Sequence, residues 1–235
     1  MTDSYKKNND LITKNKRKPN FHRIKVSNTV VVGGMIAFGK STLVNALSKQ
    51  LDNAHIVTEF DDNDQLAHML LDKMYGRENN IIYGSVFQLY FVLQRFEKFR
   101  QNCNRENLTI FDRSIFEDWL FAHENIIRPS VFRYYESLWK DISNELVYEH
   151  GVPKLYVILT GDWELFKKRL FERNRTTEIE NFEKNKMYFK RLLSIYQDYM
   201  INVCKDFGIE CLLVDANLEL EQKVEMVLEK LKTLN

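Results

Sequence analysis

Gly34-Met35-Ile36-Ala37-Phe38-Gly39-Lys40-Ser41 fits the spacing G-x-x-x-x-G-K-[ST], with Thr42 directly after it. Glycines at both ends of such a loop let backbone N–H groups converge on one point, and a helix that follows adds its positive end; together they cradle phosphate oxygens. Lys40 is then placed to neutralise a transferring phosphate, and the Ser41 hydroxyl to ligate magnesium. The stretch Gly34 to Thr42 is therefore expected to bind the phosphates of a nucleotide. The plainer alternative is a glycine turn between a strand and a helix, with a solvated lysine.

Other candidates for chemistry lie further along. Asp112-Arg113-Ser114 follows the short apolar run Leu108 to Phe111, which sets a carboxylate and a guanidinium at the carboxyl end of a strand, where open α/β sheets bind ligands. Glu59 ends the run His55 to Thr58 and is expected at the same sheet edge, where a carboxylate can accept a proton from an attacking hydroxyl. Arg169, Arg173 and Arg175 close one helical pattern and enter the polar loop Asn174 to Thr177; three guanidiniums exceed what a helix C-terminus needs and fit a lid over phosphates. Asp118, four residues after Ser114, is placed to share the cleft with Arg95 and Gln88. A buried arginine–aspartate pair is costly to desolvate and adds little stability, so in a pocket it points to recognition; its alternative is an ordinary salt bridge between helices. The guanine signature N-K-x-D and a D-x-x-G switch are missing.

These residues need elements to carry them. Short apolar runs at Thr29 to Val32, His55 to Thr58, Leu108 to Phe111, Leu155 to Leu159 and Cys211 to Val214 read as five buried parallel strands. Helical spacing is read over 41–51, 62–74, 85–103, 114–124, 130–148, 163–173, 179–206 and 218–232. Strands alternating with helices imply an α/β fold, a parallel sheet covered on both faces. Phe87, Tyr90, Phe91 and Phe96 share helical spacing, and for all but Phe87 packing alone explains them.

The 235 residues suit one domain, and with 34 Lys and Arg against 33 Asp and Glu no bulk charge favours nucleic acid or an anionic membrane. No apolar stretch is long enough to span a bilayer. Three cysteines, Cys103, Cys204 and Cys211, lack metal-ligand spacing and read as reduced thiols of a cytoplasmic protein. Residues 1–28 carry Lys6, Lys7, Lys14, Lys16, Arg17 and Lys18 and read as a basic, solvated tail before a single domain at 29–235.

Taken in order, the loop, Glu59, Phe87-Gln88 with Arg95, Asp112-Arg113-Ser114 with Asp118, and the stretch Arg169 to Glu178 resemble the deoxynucleoside kinase family, from Val30 to about Lys232. The resemblance implies a P-loop kinase fold, a three-layer sandwich with a five-stranded parallel sheet and an arginine-bearing lid. It implies ATP and Mg2+ as cofactors, with Asp112 helping Ser41 hold the metal. It also implies Glu59 as base for the nucleoside 5′-hydroxyl, Arg113 at the phosphoryl site, Gln88 on the base edge and Phe87 packed on the base. Tyr75 and Glu178 are implied on the 3′-hydroxyl, and a homodimer as the assembly. This chain departs from the family pattern at Phe38, where a small residue is usual, at Asn174, where glycine is, and at Phe60, where proline often follows the glutamate.

The reaction expected is transfer of a γ-phosphoryl group to the 5′-hydroxyl of a deoxynucleoside, as in nucleotide salvage. Members that carry the Arg95 and Asp118 pair resemble purine- and cytidine-preferring kinases, so deoxyadenosine or deoxyguanosine is expected first, deoxycytidine second and thymidine poor. A thymidylate-type monophosphate kinase shares the loop, the Asp-Arg pair and the arginines, and is the nearest alternative. A nucleotide-binding regulator or nucleic-acid-associated ATPase using the basic tail is a third, which leaves Glu59, Gln88 and Arg95 unexplained.

Overall fold

The computed structural model describes residues 24–59, 63–75, 81–103, 105–126 and 128–234, so Phe60 and the tail residues Lys6, Lys7, Lys14, Lys16, Arg17 and Lys18 lie outside the described residues. The five expected strands form one sheet: β1 (Val26–Gly34), β2 (His55–Val57), β3 (Thr109–Asp112), β4 (Val152–Thr160) and β5 (Cys211–Asp215). Their order is β2-β3-β1-β4-β5 and every pairing is parallel, with Val32 opposite Asp112 on one side and Val157 on the other. Parallel strands require covering on both faces, and consecutive Val30, Val31 and Val32 are all 0% exposed. Each buried valine contributes about 1.5–3 kcal/mol relative to exposure.

Nine helices link the strands among the described residues: α1 (Lys40–Gln50), α2 (Gln65–Tyr75), α3 (Ile81–Asn102), α4 (Ile115–Asn125), α5 (Pro129–His150), α6 (Trp163–Arg173), α7 (Thr176–Glu180), α8 (Phe182–Phe207) and α9 (Leu220–Lys232). Helix α1 packs on α9, while α3, α4, α5 and α8 pack on one another, giving helical layers about the sheet. Because β1 lies between β3 and β4, the chain leaves it in opposite directions, which opens a crevice at the carboxyl ends of β1 and β3. The phosphate loop, Asp112-Arg113 and Glu59 all emerge at that edge.

Two expectations are corrected. The helix read over 179–206 is two helices, because Asn181 takes φ −107°, ψ 12° and interrupts the ladder; asparagine competes for backbone partners, and apolar spacing alone does not register it. The tail read as 1–28 overlaps the fold, since β1 starts at Val26 and Ser27 is buried there, its hydroxyl donating to the Val152 carbonyl at 3.0 Å.

Candidate active site

The phosphate loop turns on two left-handed residues, Ala37 at φ 65° and Gly39 at φ 85°, before α1 begins at Lys40. Lys40 is buried, and its ammonium donates to the Met35 carbonyl at 2.9 Å. Burial, helped by repulsion from Arg113, lowers its pKa to about 8. The bulk of Phe38 is turned inward, edge-on to Phe166 at 6.5 Å and against Gly161, where a Cβ would meet its ring at 3.0 Å. A small residue is therefore unnecessary at 38, because glycine at 161 supplies the room.

Arg169, expected among the lid arginines, does not line the cleft that Arg173 and Arg175 enter. Its Nη1 donates to the Phe38 carbonyl at 3.0 Å and its Nη2 to the Ala216 carbonyl at 2.5 Å, while Lys223 Nζ donates to the same Ala216 oxygen at 2.9 Å. Helix α6 starts directly after β4, beside β1, so its second turn falls against the loop and Arg169 donates to carbonyls there. It braces the phosphate loop from behind.

In front of the loop lies a cleft entered by Ile36 and Lys40 and lined further by Glu59, Tyr75, Phe87, Gln88, Arg95, Arg113, Asp118, Arg173, Arg175 and Glu178. Residues from six separate stretches of chain thus meet in one cleft. Glu59 stands two residues beyond β2, its backbone pinned by Lys98, whose ammonium donates to the Thr58 and Glu59 carbonyls at 2.8 and 3.0 Å. Its Oε1 lies 2.8 Å from Arg95 Nη2 and 2.8 Å from Arg113 Nε. Burial pushes this carboxyl up, but Arg113 and Arg95 more than reverse that and hold it at about 2. Arg95 also donates through Nη1 to Asp118. Burial raises the Asp118 carboxyl to about 7 against the pull of Arg95. Asp118 Oδ2 and Arg95 Nε are buried with no hydrogen-bond partner. Unmet polar atoms of this kind are costly, so they point to a polar ligand beside the buried Gln88.

Ser114 caps α4, accepting from the Phe116 amide at 3.3 Å, so the plain capping reading of Ser114 holds. Arg113 has φ 71°, and its guanidinium lies 4.8 Å above the Phe121 ring. On the far side of the cleft, Glu178 is buried with Oε2 unpartnered and receives Arg173 and Arg175 at 3.8 and 3.7 Å. Tyr75 is buried in the same wall, its hydroxyl kept protonated well above the usual range by burial and by neighbouring Tyr188 and Glu178. Asn174, where the family has glycine, ends α6 at φ 55°, ψ 38°, a conformation asparagine tolerates better than other side chains.

Glu117, Tyr156 and Tyr196 are missed by sequence reasoning. Glu117 accepts from Arg113 Nη1 at 2.5 Å, and its position four residues after Arg113 on a helix start was the available signal. Tyr156, a single hydroxyl inside the apolar run of β4, was the other.

Ser41 Oγ donates to Asp112 Oδ2, and Asp112 Oδ1 is buried with no partner. A hydroxyl and a carboxylate with one oxygen to spare, beside a phosphate loop, fit a magnesium ion that takes its remaining ligands from phosphates and water. Among the described residues no group of three or more His, Cys, Asp or Glu could hold a metal by itself. When bound, such an ion supplies charge neutralisation between phosphate oxygens.

The family model described as deoxynucleoside kinase matches residues 30–234. An uncharacterized protein of Mycoplasma pneumoniae is 56% identical over 93% of this chain and 95% of its own length. A deoxyguanosine kinase of Lactobacillus johnsonii is 31% identical over 72% of this chain and 75% of its own. Among solved structures, a deoxyadenosine kinase from M. mycoides with dCMP and a flexible dCDP bound superposes with a TM-score of 0.69 at 23% identity, covering 87% of this chain and 99% of that one; this likeness is one of fold.

Proposed function

The chain belongs to the deoxynucleoside kinase family and is a phosphotransferase, and from that premise we propose that it phosphorylates the 5′-hydroxyl of a purine deoxynucleoside, with deoxycytidine as a second substrate. The observation that carries this reading is the Arg95–Asp118 pair: Asp118 buried and Arg95 partly so, bonded to each other, each with one enclosed polar atom unmet, and facing the same cleft as Gln88. The pair offers a donor and an acceptor to atoms such as a purine N7 and the exocyclic group at C6. The amino group of cytosine can use the acceptor. Thymine would set a methyl group against the pair and leave its hydrogen-bonding capacity unmet, a penalty of about 1–3 kcal/mol.

In this reading Glu59 accepts the proton of the 5′-hydroxyl, Lys40 and Arg113 stabilise charge on the phosphoryl group, Arg173 and Arg175 close over the donor phosphates, and Tyr75 with Glu178 hold the 3′-hydroxyl. ATP is the donor proposed, with Mg2+ held at Ser41 and Asp112. The assembly proposed is a homodimer: Ile82, Val86 and Leu93 form one exposed apolar stripe on α3, and Tyr134, Leu138 and Tyr148 another on α5, which packs beside it. Such paired stripes are costly to leave in water. The three cysteines are free thiols and no helix of the described residues is long and apolar enough to cross a membrane, which supports a cytoplasmic site of action.

The deciding experiment is a panel of four deoxynucleosides with ATP and magnesium. A deoxypurine used best and thymidine worst supports the reading, whereas preference for thymidine, or turnover only with a deoxynucleoside monophosphate, overturns it.

A further inference from the structure

Glu117 has no part in the roles above, yet it is fully enclosed at the cleft floor. Its Oε1 accepts from Tyr156 OH at 2.7 Å, and its Oε2 accepts from Arg113 Nη1 at 2.5 Å and from Tyr196 OH at 2.5 Å. Tyr156 OH also lies 3.1 Å from Ser114 Oγ. A carboxylate removed from water persists only with a charge partner and hydrogen bonds to its oxygens, and Glu117 has both. The two tyrosines come from β4 and α8, so the carboxylate is fixed to the rigid core. The same network occupies the space beside Gly33: a Cβ there would fall 2.6 Å from Tyr156 Cε1 and 2.9 Å from both Glu117 Oε1 and Tyr196 OH.

The beneficiary is Arg113. Its φ of 71° lies in the left-handed region, which a residue with a side chain occupies only where its surroundings over-determine it. Two carboxylates do so, Glu59 at Nε and Glu117 at Nη1. They differ in what the reaction asks of them. Glu59 faces the cleft and, as base, must turn its oxygen to a substrate hydroxyl; Glu117 is sealed away from substrate.

We infer that Glu117 is a positioning residue, which keeps the Arg113 guanidinium on the moving phosphoryl group while Glu59 is engaged with the acceptor. The inference rests on the phosphoryl-transfer reading above. It separates two jobs: on taking a proton Glu59 loses the charge that attracts the arginine, whereas Glu117, which takes none, keeps its own. A small displacement of a charged group at a reacting centre is enough to slow the reaction strongly, so the anchor matters to rate more than to binding.

The test compares wild type with Glu117→Gln and with the double variant Tyr156→Phe/Tyr196→Phe, which keeps the carboxylate but frees it from β4 and α8 and so remains informative if the first variant does not fold. We expect kcat to fall about tenfold or more in Glu117→Gln and roughly threefold or more in the double variant, with KM for nucleoside and for ATP little changed. Loss of thermal stability at unchanged kcat, or a rise in KM at unchanged kcat, overturns the inference. Because Arg113 acts on the phosphoryl group whatever accepts it, the slow hydrolysis of ATP by water, measured without nucleoside, is expected to fall in parallel; equal hydrolysis in wild type and variants also overturns it. Should wild type accept none of the four deoxynucleosides, the proposed function fails, and the hydrolysis comparison still decides the role of Glu117.

Discussion

Arg95 Nη2 lies 2.8 Å from Glu59 Oε1 while the same guanidinium bonds Asp118, so the arginine proposed to read the base also holds the carboxylate proposed to take the 5′-hydroxyl proton. In the proposed function, base recognition and proton transfer therefore share one residue. This arrangement sets what substitutions at the cleft can do.

Replacing Arg95 and Asp118 together with Met and Ala is expected to raise thymidine use relative to deoxyadenosine. It should also lower kcat for every nucleoside by about tenfold, because Glu59 loses one of its two guanidinium partners and shifts from its reacting position. Steady-state constants over the four deoxynucleosides check both effects. An unchanged ranking would remove the pair from base recognition.

Lys40→Met should abolish transfer, by about a thousandfold or more, without lowering the melting temperature at pH 7. The folded pKa of about 8 lies below the ordinary 10.5, so the stability gained from a neutral Lys40 is present above about 10.5 and is lost as pH falls through about 8. Methionine removes that cost. The same shift predicts proton uptake when ATP binds between pH 8 and 10.5, because triphosphate restores the charged lysine. Calorimetry in buffers of different ionisation enthalpy measures it, and proton release would contradict the account.

Glu59→Gln is expected to lower the rate by about a hundredfold or more if the carboxylate is the base. It also strips two buried guanidiniums of a counter-charge. The folded pKa of about 2 lies below the ordinary 4.5, so the stabilisation from Glu59 is present above about 4.5 and is lost as pH falls through about 2. Urea unfolding of wild type and variant should show a gap at pH 7 that shrinks at pH 3; a constant gap would mean that the ion pairs are not its source.

Gly33→Ala should destabilise the protein by about 1–3 kcal/mol, the usual cost of overpacking, and lower kcat as well. The added methyl group displaces the Tyr156, Tyr196 and Glu117 network described above, so both losses have one origin. Thermal unfolding with parallel kinetics tests this, and stability lost with full activity retained would uncouple the network from Arg113.

The sequence by itself determined the five strands, most of the helices and the places of the candidate groups along them. Short apolar runs at Val30, Ile56, Ile110 and Val157 point to strands covered on both faces and so to a parallel sheet, while Leu213, on the edge strand β5, is left exposed. The loop Gly34 to Ser41, Glu59, Arg113 and Gln88 were legible because their types and their places at strand ends or within one helix are local properties. Tertiary structure decided how distant groups share partners. Arg169 reads as a third lid arginine by spacing, and only the approach of α6 to the loop assigns its donors to the Phe38 and Ala216 carbonyls. Phe38 looks too large for its place until Gly161, from another strand end, is seen beside it. The groups joined at Glu117 come from positions 113, 156 and 196, and only Arg113, four residues before it, is linked to it by helical spacing. Hydrogen bonds between groups far apart in the chain depend on the crossing of β4, α4 and α8, which burial drives and local patterning does not encode.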